Sequence, residues 1–576
     1  MNFNKRTNKL PQFIALAGAC LLSACATQKP EIVTEVPPEP APKQEIVYKN
    51  FEPETLYSLI VAELAGDRQR YDIALRNYLQ QAHHTRDPAI AARATRIAQF
   101  LGAHQFTLNA SLLWHEIEPE NQEAQIIAAT ELTSANRLIE AIDLAKQIDD
   151  PSIDSLYITI AARADQATDI ERERLLTTFN ELNLAHPDKP ALLVGLGLLH
   201  AEQHDFDQAI TLARQVQKQD PQNVAAIKLE AESLAESGQL EKAKSFLLEK
   251  LEQQPTSVSL RLHYARLLAK DDVEASREQF RILNQQKPGD PDFIFSLALL
   301  NHELGDLDNA KELYGQLVHT PERGTSANYY LGEIAREQGN DDLALSYYLE
   351  VKSGPDFFPA LERSTDILIS KGENTEANSR FASLREQFPE MRERLYLAQA
   401  NSLVRHKQLK PAVELLTEAL SFDETNSSLL YARAMANEQR DLIHLTEEDL
   451  RTILQYDSNN VTALNALGYT LADRTNRYDE AYELIKSALE LNPQDPAIVD
   501  SMGWVQYKLG NHQNAIEYLR KAMAAFPDHE VAAHLGEVLW VTGETEEAQA
   551  IWNKGLELNP NSDIIPGVMK KLQGNR

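Results

Sequence analysis

The stretch Asn465–Pro493, NALGYTLADRTNRYDEAYELIKSALELNP, decides how this chain folds. Leu464, Leu467, Gly468 and Leu471 recur at helical spacing and form one apolar face, and Ala481, Ile485 and Ala488 form a matching stripe on a second helix. Gly468 and Ala481 are small enough to let two helix axes approach closely. Pro493 lacks an N–H and stops the second helix. The pattern then repeats. Ala481, Ala515 and Ala548 recur at intervals of 34 and 33, Pro493, Pro527 and Pro560 keep the same two intervals, and Gly468, Gly503 and Gly536 fall at 35 and 33. Three registers agreeing across three units mark a repeated helical hairpin over Val461–Pro560. One hairpin cannot bury both of its apolar faces, so successive copies stack.

A period near 34 with these marks resembles the tetratricopeptide repeat (TPR). The resemblance implies an all-α TPR solenoid, a right-handed superhelix of helical hairpins. Upstream the register holds: Gly197, Ala209 and Pro221 form one unit, and Ala231, Ala243 and Pro255 each stand one period later. Phe280 with Pro288, Ala310 with Tyr314, Gly332 with Ala344 and Tyr348, Ala377 with Phe381 and Pro389, and Ala400 with Ala412 continue the series. Residues 189–560 therefore read as a TPR array. The apolar run Ala191–Leu199 is too short to span a bilayer and reads as a buried helix. Residues 51–188 read as divergent helical hairpins. Ala74 with Tyr78, Ala110 with Trp114, and Ala141 with Ala145 suit second-helix positions, but the segment from Ser152 to Pro190 fits the template poorly. Divided by the TPR period, residues 51–560 hold about 15 units. Residues 561–576, which include DIIPGVMKKLQGNR, read as a capping helix over the last hairpin's outer face.

The N-terminus speaks of place rather than fold. Lys5, Arg6 and Lys9 precede an apolar run from Phe13 to Leu22, the layout of a signal peptide over residues 1–24. The run ends in Leu22-Ser23-Ala24-Cys25, which resembles a bacterial lipobox. That resemblance implies lipidation at Cys25, with acyl chains contributing about 0.8 kcal/mol per buried CH₂. Ala26 rather than Asp follows, a pattern that implies sorting to the outer membrane, facing the periplasm. Cys20 and Cys25 are the two cysteines of the whole chain, so no disulfide framework or thiol-ligated metal is expected in the mature protein. Residues 25–50 combine the lipidated Cys with a Pro-rich tether carrying Pro30, Pro37, Pro38, Pro40 and Pro42. In extended polyproline form, roughly 25 residues at about 3.1 Å each reach about 75–80 Å.

Charge and motifs narrow the function. The chain carries a formal net charge of −30, and removal of Lys5, Arg6 and Lys9 lowers it to −33. Nucleic acid is excluded as a partner because its recognition needs basic patches. Much of the acidity suits solvated helix faces. The sequence contains no Gly-Lys pair and hence no phosphate loop, no HExxH and no GxSxG. Gly195-Leu196-Gly197 sits in a helical segment and reads as helix packing. His83-His84 and the His200/His204 pair lack a third ligand at matching spacing. No catalytic residue, cofactor, metal site or small-molecule substrate is expected, and the chain reads as non-enzymatic.

A TPR array presents a groove lined by the first helix of each hairpin. Counting from the small residue at the eighth position, the groove-facing fifth, ninth and twelfth positions are Asn465, Tyr469 and Ala472 around Gly468. They are Asp500, Trp504 and Tyr507 around Gly503, and Ala533, Glu537 and Trp540 around Gly536. The set predicts an aromatic peptide- or protein-binding groove with Asn465, Asp500 and Glu537 as polar handles. The spacing equally allows Trp504 and Trp540 to pack between hairpins.

Four segments carry a narrower resemblance: EDLRTIL (448–454), LNALGYTLADRT (464–475), DSMGWVQYKLG (500–510) and HLGEVLW (534–540). In this order they resemble a family of proteobacterial outer-membrane TPR lipoproteins that partner a periplasmic carboxy-terminal processing protease. The resemblance covers roughly residues 430–560. It implies an adaptor that binds the protease and its substrates, among them cell-wall hydrolases, and promotes their proteolysis. It assigns no protease-binding residue; by elimination the helices at 51–188 are the docking candidate. The alternative is a scaffold for an envelope machine that exports exopolysaccharide, assembles outer-membrane proteins or serves a pilus secretin.

Overall fold

The computed structural model describes residues 51–574 except Asp149, Ser152 and Asp188; the segment 1–24, Cys25 and the tether to 50 lie outside the described residues. All regular structure among the described residues is helical: 31 α-helices and two 3₁₀ turns, with no strand. Two compact units divide the chain, the first ending at Asp150 and the second beginning at Pro151.

In the first unit, six helices from Pro53–Asp67 to Leu138–Ala145 pair consecutively. Their core leans on alanine, with Ala62, Ala82, Ala91, Ala94 and Ala110 fully enclosed around Tyr78 and Trp114. The Trp114 indole donates to Glu118 Oε2 at 2.9 Å, which satisfies its one polar atom.

The second unit runs from Ile153–Ala162 to Ile564–Gln573. Its first helices depart from the repeat. Ile153–Ala162 and Asp169–Ala185 make their main contacts with Pro190–Glu202 rather than with each other. Fully buried Phe179 sits against Gly195, and the Leu229 side chain lies against Gly197, so this glycine pair serves helix packing. His204 lies beyond the end of that helix at φ 61°, so it does not share a helical face with His200.

From Pro190 on, hairpins follow in sequence order and each packs on the next. Local chemistry sets their ends. Asn426, Asn460, Asp495 and Asp528 precede successive first helices, and each side-chain oxygen accepts from a backbone N–H of the first turn. Such caps are worth about 1 kcal/mol each. The turns after the first helices of the last two hairpins need a left-handed residue, supplied by Gly510 (φ 83°) and Gly543 (φ 95°). The core then runs from Tyr396 to Ile565 through two adjoining clusters. The last helix, Ile564–Gln573, packs on His529–Thr542 and buries Ile565 completely.

The small residue at the eighth position is required by the crossing itself. A Cβ on Gly468 would lie 2.5 Å from Ile485 Cγ1 and 3.0 Å from the Ala481 carbonyl oxygen. Backbone cannot give way as a flexible side chain does. Gly468→Ala is therefore expected to destabilise by about 1–3 kcal/mol of overpacking, outweighing the roughly 1 kcal/mol gained in helix propensity. Hydrogen exchange over Val461–Leu491 checks this; protection equal to the parent's would mean that the axes lie farther apart.

Candidate protein-binding groove

Five consecutive first helices supply the groove: Arg392–Arg405, Ser427–Gln439, Val461–Arg474, Pro496–Lys508 and His529–Thr542. Two adjoining concavities lie along them. One, of about 510 Å³, is walled by Leu397, Val404, Tyr431 and Met435. The other, of about 660 Å³, is walled by Tyr431, Asn465, Tyr469, Phe526, Glu530 and His534. Tyr431, Met435 and Thr462 belong to both, so the surface is continuous.

The sequence-read set divides. Asn465, Tyr469 and Asp500 line the larger concavity. Asn465 is half-buried, and its Oδ1 finds no donor. Trp504, Tyr507, Glu537 and Trp540 line neither concavity. Trp504 is only 4% exposed, so the structure selects packing over groove exposure for it. Its ring stacks on His534 at 4.2 Å between centroids, its Nε1 donates to Asp473 Oδ1 at 3.2 Å, and the Lys508 ammonium stands 4.7 Å from the ring centroid. The physical reason is His534, one hairpin on, which lies over the indole. Tyr507 donates to Glu537 Oε1 at 3.3 Å. Burial, first, and the adjacent Glu537 carboxylate push the Tyr507 phenol up to about 12. Glu537 is buried and accepts from Lys571 Nζ at 3.0 Å, so the terminal helix covers this handle. Trp540 is half-buried with its ring 5.6 Å from the fully buried Trp552.

His534 is the residue that position counting missed. Its Nδ1 lies 2.9 Å from Asp500 Oδ2, and its Nε2 lies 3.3 Å from the Tyr469 hydroxyl, which stands two hairpins upstream. Burial opposes a charge on the imidazole. The Asp500 carboxylate outweighs that, by its charge and its hydrogen bond and with help from Asp473 and Glu530, so the imidazole pKa is raised above its ordinary value. In the protonated form both ring nitrogens donate, one to Asp500 and one to the Tyr469 oxygen. Burial pushes the Tyr469 phenol up as well, reinforced by Asp473 and Asp500. A signal was present in the chain: Asp500 and His534 are separated by 34 positions, one repeat, which sets them on neighbouring first helices.

Glu438 also faces the groove. It accepts from Thr470 Oγ1 at 3.4 Å, and burial raises its pKa above the usual carboxylate value. Among the described residues no cluster of three or more His, Cys, Asp or Glu side chains is arranged to hold a metal ion, and no helix is long and apolar enough to cross a membrane. The arrangement offers a concave protein-facing surface of aromatic, aliphatic and acidic side chains.

Comparison with known proteins agrees. Two tetratricopeptide repeat families match, one at residues 200–270 and 506–566, the other at 295–356 and 447–496. The TPR repeat-containing protein PA4667 of Pseudomonas aeruginosa is 40% identical over 528 residues, covering 92% of this chain and 89% of that protein. Cellulose synthase operon protein C of Pseudomonas fluorescens is 23% identical over 89% of this chain but only 38% of its own length. A solved tetratricopeptide repeat protein from Parabacteroides merdae matches at 17% identity over 49% of this chain and 98% of its own, with a TM-score of 0.32. The extent and identity of the Pseudomonas aeruginosa match, on a fold of stacked helical hairpins, place the chain in the family of tetratricopeptide repeat proteins.

Proposed function

We propose that this chain is a non-enzymatic adaptor of the bacterial outer membrane, anchored through Cys25, that holds a periplasmic carboxy-terminal processing protease and its substrate proteins together. The single observation that supports protein capture is the continuous groove on five first helices, open between Leu397 and His534. The lipobox-like Leu22–Cys25 and the four C-terminal motifs supply the rest of the reading. The groove is poorly suited to chemistry on a small molecule: its polar side chains are spread along several helices, and the hydroxyl beside the His534–Asp500 pair is the Tyr469 phenol, which burial keeps protonated. The likeness to cellulose synthase operon protein C favours a second reading, a scaffold within an envelope export machine.

One experiment separates these. Tagged full-length chain is extracted with detergent from fractionated envelopes, and the co-purifying proteins are identified by mass spectrometry. The adaptor reading expects recovery from the outer-membrane fraction, lost in Cys25→Ser, together with a processing protease and wall hydrolases. Ala497→Trp, which places bulk at an exposed groove position, is expected to cut substrate recovery at least fivefold while leaving the protein folded. A β-barrel exporter or secretin without any protease sinks the adaptor reading in favour of the scaffold. Recovery of Cys25→Ser from the same fraction sinks the lipid anchor.

A further inference from the structure

Four carboxylates from four different first helices gather around Tyr469: Glu438, Asp500 and Glu530, which line the larger concavity, and Asp473, which does not. Each acts on the Tyr469 hydroxyl, so they share one locale. Direct ion pairs among the described residues answer two of them. Asp500 is met by His534 at 2.9 Å, and Asp473 by Lys508 at 3.7 Å. Arg474, also nearby, pairs with Asp441. Glu438 and Glu530 form no ion pair among the described residues; the Arg474 charge acts on Glu438, and that of His534 on Glu530, only from beyond ion-pair distance. Beside this surplus lie apolar surfaces, the half-buried Tyr431 and Met435 and the 59% exposed Phe526.

A half-buried carboxylate outside any ion pair, as Glu438 is, stands partly away from water at a cost, and that cost is relieved when an incoming positive charge pairs with it. Aromatic faces beside it accept the aliphatic stem of the same side chain, and cations are further attracted to such rings. A groove of this volume in a tetratricopeptide array accommodates an extended or helical segment. An acidic segment would be repelled by Glu438 and Glu530, and a purely apolar one would bury Glu438 further without pairing it.

Resting on the reading of this groove as a protein-capture surface, we propose that its occupant is a cationic polypeptide segment, with Lys or Arg side chains paired to Glu438 and Glu530 and apolar side chains seated against Tyr431, Met435 and Phe526. Long-range attraction speeds the encounter, and the paired carboxylates set the selectivity.

The test uses full-length protein and two fluorescein-labelled peptides of equal length, one alternating Lys with Leu and Ala, the other with every Lys replaced by Glu. Fluorescence anisotropy is expected to show binding of the Lys peptide at least tenfold tighter than the Glu peptide at near-physiological salt. Glu438→Gln with Glu530→Gln is expected to raise the Kd for the Lys peptide at least tenfold. Glu546→Gln with Glu557→Gln, an equal charge change on exposed positions of the Thr545–Leu558 helix, is expected to leave it within twofold. Equal losses in both double variants mean diffuse attraction to an acidic protein and overturn the proposal. If both peptides bind alike and Ala497→Trp abolishes both, the groove captures protein but the cationic occupant is refuted. If Ala497→Trp changes nothing, the groove itself is not the capture surface and both readings fall.

Discussion

Trp504→Ala is expected to lower the stability of the hairpins between Val461 and Leu558 by about 3–5 kcal/mol, the usual cost of deleting a buried large aromatic side chain. The indole is 4% exposed, stacked on His534 and tilted against Tyr507 at 5.2 Å. Its removal opens a cavity beneath His534, strips the Asp473 carboxylate of a donor and leaves the Lys508 ammonium without the ring it lies over. Because repeats contact chiefly their neighbours, with Tyr469–His534 reaching one hairpin farther, the loss stays within these hairpins, and a single unfolding free energy is a poor measure of a long array. Hydrogen exchange resolved by peptide is the suitable reading. Protection over Val461–Lys508 falls, while that of residues 51–150 does not change. Trp504→Phe, which keeps a ring against His534 and loses only the indole N–H and part of the ring area, falls by less. A groove-exposed indole would behave otherwise: the alanine variant would keep full protection and lose only partner capture. That outcome would show that the stack on His534 is wrong.

The second large effect lies one layer closer to solvent. Asp500→Ala removes one partner of a buried charge pair and is expected to cost about 3–5 kcal/mol, because the imidazole is left enclosed without its counter-charge. Asp500→Asn keeps the shape and isolates the charge. The folded protein holds the His534 proton more tightly than the unfolded chain, where an imidazole titrates near about 6.5. The stabilisation from a raised pKa is therefore fully present below about pH 6.5 and lost as pH rises through the folded-state value. The other charges around His534 are Asp473 and Glu530, with Lys508 against Trp504, and they are common to parent and variant. The stability gap between parent and Asp500→Asn should thus narrow as pH rises above about 6.5. Exchange protection of Pro496–Thr542, followed across that range, measures it. A gap that stays constant means that the pair does not titrate there, and the buried ion pair would have to be given up.

These two residues show where reading the chain succeeds and where it stops. Gly468, Ala481 and Pro493 could be placed because each answers a requirement within one hairpin: two axes crossing closely, then a helix stopping. The caps Asn460, Asp495 and Asp528 obey the same logic. Asn465, Tyr469 and Asp500 were found for the groove by position because the first helix presents one face repeatedly. Trp504 occupies the ninth position, as Tyr469 does, yet it is buried while Tyr469 reaches the concavity. The difference is not in the helix that carries it but in His534, supplied by the next hairpin. Glu537, again at the ninth position, is taken by Lys571 of the terminal helix. Phe526 enters the groove from the end of a second helix, a place that position counting along first helices does not visit.

The sequence by itself determined the repeat, its period and the helix ends, because all of these follow from helix geometry and capping over a few turns of chain. The tertiary structure decided which repeat positions are surface and which are core: it put Trp504 under His534, tied His534 to Tyr469 two hairpins away, and set Glu438 and Glu530 facing the groove outside any ion pair among the described residues. The reason is physical. Spacing along a helix fixes the direction in which a side chain leaves its own hairpin, but what it meets there depends on how the next hairpins are set against it, and the repeat period carries no information about that angle.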